Sequence, residues 1–153
     1  MVMNRRLTLA RWSLGNLHGE DLPPAACELL AAGFDNQWLR EVAALDSPTL
    51  RDAADTFDRG LRAAGFQPHA HELALGVMAW ETARSIVAGA LQPYAGAQVL
   101  SGLASDSRDY PELFAFYEFV DAYCGYLEGR PDIDGEIIVE AQKFIAAHPE
   151  LAA

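Results

Sequence analysis

Hydrophobic positions recur along this chain at helical spacing, and the longest such run occupies residues 73–91, LALGVMAWETARSIVAGAL. At about 100° per residue, the polar side chains Glu81, Arg84 and Ser85 fall in one narrow stripe, and apolar side chains cover most of the remaining circumference. A helix with so much apolar surface must be surrounded by other helices. The pattern therefore predicts a central buried helix over about residues 70–92.

A membrane-spanning segment is the alternative interpretation of this run. Glu81 and Arg84 lie in the middle of it, where each charge would cost about 2.5–3.5 kcal/mol at the centre of a bilayer. The sequence therefore favours a helix buried in protein, and no membrane association is expected.

Shorter amphipathic segments, separated by glycine and proline, lie on both sides of the central run. Side chains that cap helix N-termini are predicted at Asn4, Ser47 and Asp109, and a further helix is predicted to begin near Asp35 or Asn36. With 153 residues, of which 51% are hydrophobic, the chain is long enough to bury one core. We therefore predict a single all-α domain over residues 1–153, an irregular bundle of six to eight helices.

Two helix ends look alike, because LAAGF at residues 30–34 returns as LRAAGF at residues 61–66. The pattern is not repeated a third time, so two similar helix ends are a simpler account than a solenoid of repeats. Within the second of these helices, Asp55 is expected to pair with Arg51 and Arg59 at a spacing of four residues. Asp58 is expected to pair with Arg62 in the same way.

Charge narrows the possible partners. Twenty-two acidic residues against eleven basic ones give a formal net charge of −11, which opposes binding to nucleic acid phosphates and to anionic membranes. An acidic protein of this kind either has a solvated acidic surface or binds a basic protein surface. The N-terminal residues lack the uninterrupted apolar core of a secretory signal, and Cys27 and Cys124 lack metal-ligand spacing, so we expect buried thiols and a cytoplasmic location.

Two segments resemble metal sites but lack the required geometry. His69 and His71 are two residues apart and face apart on a helix, whereas a helical zinc site uses a spacing of four. Residues 130–136, RPDIDGE, resemble a calcium loop, but aligning Gly135 places Arg130 and Ala141 at positions that need oxygen ligands. We therefore predict no metal and no cofactor, and Asp132 or Asp134 is expected to cap a helix.

The most unusual surface is predicted on an aromatic-rich helix over about residues 110–128, where Glu118 and Asp121 share a narrow polar sector flanked by Phe114 and Tyr117. Two carboxylates at this spacing could act as an acid–base pair or as half of a metal site, but no second helix supplies the matching histidines. Carboxylates beside aromatic rings can instead bind arginines by bidentate hydrogen bonds and stacking. These four residues are the predicted partner-binding site.

Common nucleotide-binding and nucleophile motifs are absent, and no catalytic residue is predicted. The first hypothesis is a non-catalytic, soluble protein-interaction protein, immunity-like or adaptor-like, that binds a basic partner. The alternative is a helical protein, an enzyme being one form of it, that binds a small molecule or a metal in a pocket against the small-residue stretch 95–103. A third hypothesis is a structural subunit that associates with itself.

Residues 31–45, AAGFDNQWLREVAAL, and residues 85–100, SIVAGALQPYAGAQVL, resemble segments of small all-helical bacterial proteins of unknown function. Some proteins of this kind are encoded near polymorphic-toxin or abortive-defence genes. The resemblance covers about half the chain and implies a helical fold and a role in protein interaction, but no catalytic residue.

Overall fold

The computed structural model describes residues 4–125 and 129–152. Over these residues the chain forms eight α-helices, three short 3₁₀ helices and no strand, which confirms the predicted all-α helical bundle. The described residues fall into two compact units, one ending at His71 and the other beginning at Glu72. They are called the N-terminal and C-terminal units below, and the single domain over residues 1–153 stays a prediction.

The helices of the N-terminal unit are α1 Arg5–Ser13, α2 Leu22–Ala31, α3 Gln37–Ala43 and α4 Leu50–Ala63. Asn4 caps α1, since its Oδ1 accepts a hydrogen bond of 2.9 Å from the Leu7 N–H, and Asn36 caps α3 in the same way. The cap at Asn4 and the start of α3 next to Asn36 confirm the predictions, and the capping role of Asn36 is a finding of the structure. At α4 the predicted cap Ser47 is wrong, because Thr49 caps this helix with a reciprocal hydrogen bond to Asp52.

The core of the N-terminal unit lies between α2, α3 and α4. Leu29, Leu39 and Phe57 are almost completely buried there. At Gly60 a Cβ atom would lie 2.8 Å from the Leu39 side chain, so only glycine allows this approach of α4 to α3. Asn36 joins the same two helices, since its Nδ2 donates to the Gly60 carbonyl oxygen at 2.9 Å.

The helices of the C-terminal unit are α5 His71–Val87, α6 Pro93–Asp106, α7 Ala115–Gly125 and α8 Arg130–Ala147, with 3₁₀ helices at Pro111–Phe114 and Pro149–Ala152. Helix α5 corresponds to the helix predicted over about residues 70–92, and more than half of its residues are buried, as predicted. It ends earlier than predicted, because Gly89 has a φ of 75° and the Ala90 N–H bonds back to the Ser85 carbonyl oxygen at 2.9 Å. This left-handed glycine closes the helix in a Schellman motif.

Glu81 and Arg84 of α5 form an ion pair of 2.8 Å in which Glu81 is almost completely buried and Arg84 is half exposed. A second close approach involves Gly76, where a Cβ atom would lie 2.4 Å from the Tyr110 hydroxyl. Tyr110 therefore packs directly against the backbone of α5, which is possible only because residue 76 has no side chain.

The helix predicted over residues 110–128 is divided. The 3₁₀ helix Pro111–Phe114 comes first, and α7 starts at Ala115; the last residues of the predicted helix, 126–128, lie outside the described residues. Asp109 does not cap this segment as predicted, because the residue at the N-cap is Tyr110, whose N–H donates to Ser107 Oγ at 3.2 Å. As a result, the four predicted partner-binding residues are shared between the 3₁₀ helix, which carries Phe114, and α7, which carries the other three.

The calcium-like segment 130–136 lies inside the first two turns of α8. The N-cap of α8 is Gly129, so the expected cap at Asp132 or Asp134 is wrong. Among the helices of residues 4–125 and 129–152, none combines the length and apolar character needed to cross a bilayer.

Candidate functional site

The structure brings the four predicted partner-binding residues to the surface. Phe114 is the last residue of its 3₁₀ helix, and Tyr117, Glu118 and Asp121 follow on α7 at a spacing that shares one helix face. All four side chains are exposed, including 51% of Phe114 and 39% of Tyr117. This surface is called the acidic aromatic face below.

The two rings of this face form a fixed pair. Their centroids lie 6.0 Å apart and their planes differ by 19°, so Phe114 and Tyr117 are stacked. The Tyr117 hydroxyl also forms a hydrogen bond with Ser105 Oγ of α6. A flat aromatic surface is therefore held in place, open to solvent, by a neighbouring helix.

The two carboxylates of this face are unpaired among the residues that the structure describes. Within the part of the chain that the structure describes, Glu118 and Asp121 make no ion pair and no side-chain hydrogen bond. Elsewhere in the same unit acidic side chains are used internally, as in the pair of Glu81 with Arg84. The acidic aromatic face thus combines two unpaired negative charges with two exposed rings.

A cluster that the sequence pattern missed surrounds His148 at the end of α8. Its Nδ1 lies 3.0 Å from Glu150 Oε1, and its Nε2 contacts Glu112 Oε1. The imidazole also packs against Tyr110 at 5.1 Å and Phe144 at 4.7 Å, measured between ring centroids. Both ring nitrogens are occupied, so this cluster fastens the end of α8 to the 3₁₀ helix Pro111–Phe114 and leaves no nitrogen for a substrate.

The surroundings of His148 change its protonation. Burial lowers the pKa of His148, but the hydrogen bonds and charges of Glu112 and Glu150 outweigh it, so the net pKa lies above its ordinary value. Burial also raises the pKa of Tyr110, and the nearby acidic groups, beginning with Asp109, raise it further. The protonated imidazole is therefore the form that the fold favours.

Glu72, near the start of α5, was also missed. Its carboxylate accepts hydrogen bonds from Ser107 Oγ at 3.2 Å and from the backbone N–H groups of Arg108 and Asp109, at 3.1 Å and 3.2 Å at the closest. One carboxylate therefore satisfies the donors of the connection that leads into the 3₁₀ helix with Phe114. Glu72 positions the segment that carries the acidic aromatic face.

The expectation of buried cysteines is wrong, since the thiols of Cys27 and Cys124 are both free and exposed. Cys124 Sγ lies 3.3 Å from the Tyr94 hydroxyl, and the Tyr94 ring stacks on Tyr123 with centroids 4.1 Å apart. Cys27 lies in the middle of α2 and Cys124 is the residue before the last of α7. Helical spacing alone does not show which side of each helix stays open to solvent.

His69 and His71, the candidate metal ligands, belong to no group of metal ligands among the described residues. His69 precedes α5 and its backbone N–H donates to Ser13 Oγ at 2.8 Å, whereas His71 begins that helix. Over residues 4–125 and 129–152, no group of three His, Cys, Asp or Glu side chains is arranged so that it could hold a metal ion.

The small-residue stretch 95–103 belongs to α6, where it serves close packing. A Cβ atom at Gly96 would lie 2.4 Å from the Ile86 side chain, and Ala97 and Leu100 are completely buried. Elsewhere among the described residues, a cavity of about 280 Å³ lies in the N-terminal unit. An open groove of about 600 Å³ lies beside α8 and includes Phe119 and Val139.

Comparison of the chain with protein-family models, with curated protein sequences and with solved structures gives no significant match. The function is therefore argued from the geometry of the described residues.

Proposed function

We propose that this is a non-catalytic protein-interaction protein that uses the acidic aromatic face to bind a basic surface of a partner protein. The observation that carries the proposal is the exposed, stacked pair of Phe114 and Tyr117 beside the unpaired carboxylates of Glu118 and Asp121. A partner protein that covers these exposed rings removes aromatic surface from water, and this burial favours binding.

The chemistry of the face matches arginine in particular. A guanidinium group can stack on an aromatic ring and can also donate two parallel hydrogen bonds to a carboxylate. The aromatic rings and the carboxylates lie within two turns of chain. The Tyr117–Ser105 hydrogen bond holds the Tyr117 ring in place. The net charge of −11 would in addition speed the approach of a basic partner.

The available titratable groups support binding more than catalysis. Glu118 and Asp121 stand in open solvent, whereas acid–base catalysis works best in a site that excludes water and shifts proton affinities. His148 has a carboxylate on each ring nitrogen. The exposed free thiols of Cys27 and Cys124 are compatible with a reducing, cytoplasmic setting, which is part of the proposal.

The first experiment is gentle isolation of the tagged protein from its own host, followed by native mass spectrometry. The test variant carries Glu118→Lys and Asp121→Lys. Its control carries Glu41→Lys and Asp46→Lys, which reverse two exposed carboxylates of the N-terminal unit and change the net charge equally. We expect the wild type and the control to retain the same basic protein and the test variant to lose it.

With that partner purified, the affinity of single variants separates stacking from charge. Phe114→Ala removes one ring and should weaken binding about tenfold, or about 1.4 kcal/mol, more than the ~1 kcal/mol that most interface residues contribute. Tyr117→Phe keeps the ring and removes only the hydroxyl bound to Ser105, so it should weaken binding less than Phe114→Ala. Equal binding by the wild type and the double lysine variant would refute the proposed face.

A further experiment compares arginine with lysine. Two peptides of equal length and charge, one rich in arginine and the other in lysine, are titrated into the protein and the amide signals of Glu118 and Asp121 are followed by NMR. The arginine peptide should bind severalfold more tightly, because only arginine stacks and binds bidentately. Equal affinities would show that charge alone acts and would remove the role given to Phe114 and Tyr117.

A further inference from the structure

The cavity of the N-terminal unit has a volume of about 280 Å³ and lies where the start of α4 meets the end of α1. Its apolar walls are formed mainly by Trp12, Leu17, Leu22, Leu50 and Phe57. The volume is roughly twice the ~150 Å³ of an apolar cavity that accepts benzene. A ligand with one aromatic ring and a short side chain therefore fits.

Two carboxylates of α4, Asp55 and Asp58, also line this cavity. The predicted pair of Asp58 with Arg62 forms, with 2.7 Å between Asp58 Oδ2 and Arg62 Nε, so this charge is neutralised. The predicted pairs of Asp55 with Arg51 and Arg59 do not form in the part of the chain that the structure describes. One unpaired carboxylate therefore stands at the edge of an apolar space.

The Arg62 guanidinium is already engaged twice. It is bound to Asp58 and lies over the Trp12 ring, 5.7 Å from the centroid. It therefore closes one side of the Trp12 ring, and the net charge left beside the cavity is that of Asp55. Such a site favours a cation with an apolar body over a neutral or anionic molecule of the same shape.

We propose that this cavity is a binding site for a small aromatic amine, with the ring inside the apolar walls and the ammonium group on Asp55. This site lies in the N-terminal unit and shares no residue with the acidic aromatic face. A small-molecule site was predicted against residues 95–103, and the proposed site lies in a different part of the chain. The test of this site is independent of the test of the protein-binding proposal.

The test is an NMR titration of the full chain with three probes of similar shape and different charge, namely phenethylamine, 2-phenylethanol and 3-phenylpropionate. The signals followed are the Trp12 indole N–H and the Ala54 and Asp55 amides, which belong to lining residues. We expect saturable shifts with phenethylamine, about threefold weaker binding of 2-phenylethanol, as for a partly exposed ion pair, and the weakest binding of 3-phenylpropionate.

Two variants assign the binding to this cavity. Asp55→Asn should lower the affinity for phenethylamine to that for 2-phenylethanol and leave the latter unchanged. Its control Glu41→Gln removes one exposed charge of the same unit away from the cavity lining and should leave both affinities unchanged. Ala54→Leu narrows the cavity and should lower the affinity for both phenethylamine and 2-phenylethanol. If this variant unfolds, the comparison of Asp55→Asn with the wild type still tests the proposal.

Any one of three results would overturn the proposal. The first is the absence of saturable shifts at Trp12 and Ala54 with phenethylamine, which would show that the cavity takes no such ligand. The second is equal binding of phenethylamine and 2-phenylethanol, and the third is unchanged phenethylamine binding by Asp55→Asn. Each of these two would show that Asp55 does not recognise the ammonium group.

Discussion

The rings of Phe34 and Phe66 pack on each other, with 4.9 Å between their centroids and 59° between their planes. Each residue follows the glycine that ends a helix, and its N–H bonds back at 3.0 Å to a buried leucine, Leu29 in α2 and Leu61 in α4. The repeated AAGF sequence therefore forms two equivalent Schellman ends. Their paired rings join the ends of α2 and α4.

A double-mutant cycle measures this pairing. Phe34→Ala and Phe66→Ala should each lower the free energy of unfolding by about 2 kcal/mol, less than for a fully buried phenylalanine because both rings are half-buried. The coupling between the two changes should be about 0.5–1.5 kcal/mol, as for other aromatic pairs. Phe66→Leu keeps an apolar contact and should cost less than Phe66→Ala; additive effects in urea unfolding would contradict the pairing.

The glycines of these helix ends have positive φ angles, 95° at Gly33 and 89° at Gly65, although a Cβ atom at either would meet no neighbour within 4 Å. Replacement by alanine should therefore cost about 1–2 kcal/mol each through backbone strain alone. The control is Gly102→Ala inside α6, which has the same open surroundings without a positive φ. It should raise stability by about 0.5–1 kcal/mol, and equal effects in urea unfolding at the three positions would show that φ does not matter.

Gly76 tests the close packing of Tyr110 on α5. Gly76→Ala should destabilise the protein by about 1–3 kcal/mol, because the new Cβ would overlap the Tyr110 ring and hydroxyl. In a Tyr110→Ala background the same change should become neutral or stabilising, since the overlap is gone and alanine favours a helix. Thermal unfolding of the four proteins measures this reversal of sign; a constant cost in both backgrounds would place the strain elsewhere.

The pH dependence of stability should depend on His148. Its pKa is raised in the folded protein, so its contribution is complete below the ordinary pKa of 6.5 and is lost as the pH rises through the folded value. As the pH rises from about 6 to about 9, the wild type should lose more stability than His148→Gln, because deprotonation weakens the interaction of the imidazole with Glu112 and Glu150. Urea unfolding across this range measures the difference.

The matched control for this experiment is His71→Gln, which replaces an exposed histidine at the start of α5. Its pH profile should follow that of the wild type. Glu112→Gln should flatten the profile in the same direction as His148→Gln, because it removes one of the two carboxylates that hold the imidazole. If His148→Gln has the same pH profile as the wild type, the cluster around His148 does not cause the pH dependence of stability.

The sequence by itself determined the features that depend on neighbours a few residues apart. Helical periodicity and short-range capping identified the all-α fold, the buried helix α5, the cap Asn4 and the start of α3 near Asn36. The same periodicity placed Tyr117, Glu118 and Asp121 on one face of a helix, which the structure leaves exposed. These features follow from the geometry of a single helix, whatever the helix packs against.

Only the tertiary structure decided which distant residues meet. His148 and Glu112 are 36 residues apart, and Glu72 reaches donors of the connection after α6 at a similar separation. The cavity beside Asp55 likewise exists because α4 passes the end of α1. No local pattern encodes these contacts, because they depend on how whole helices pack and on which approaches residues such as Gly60 allow.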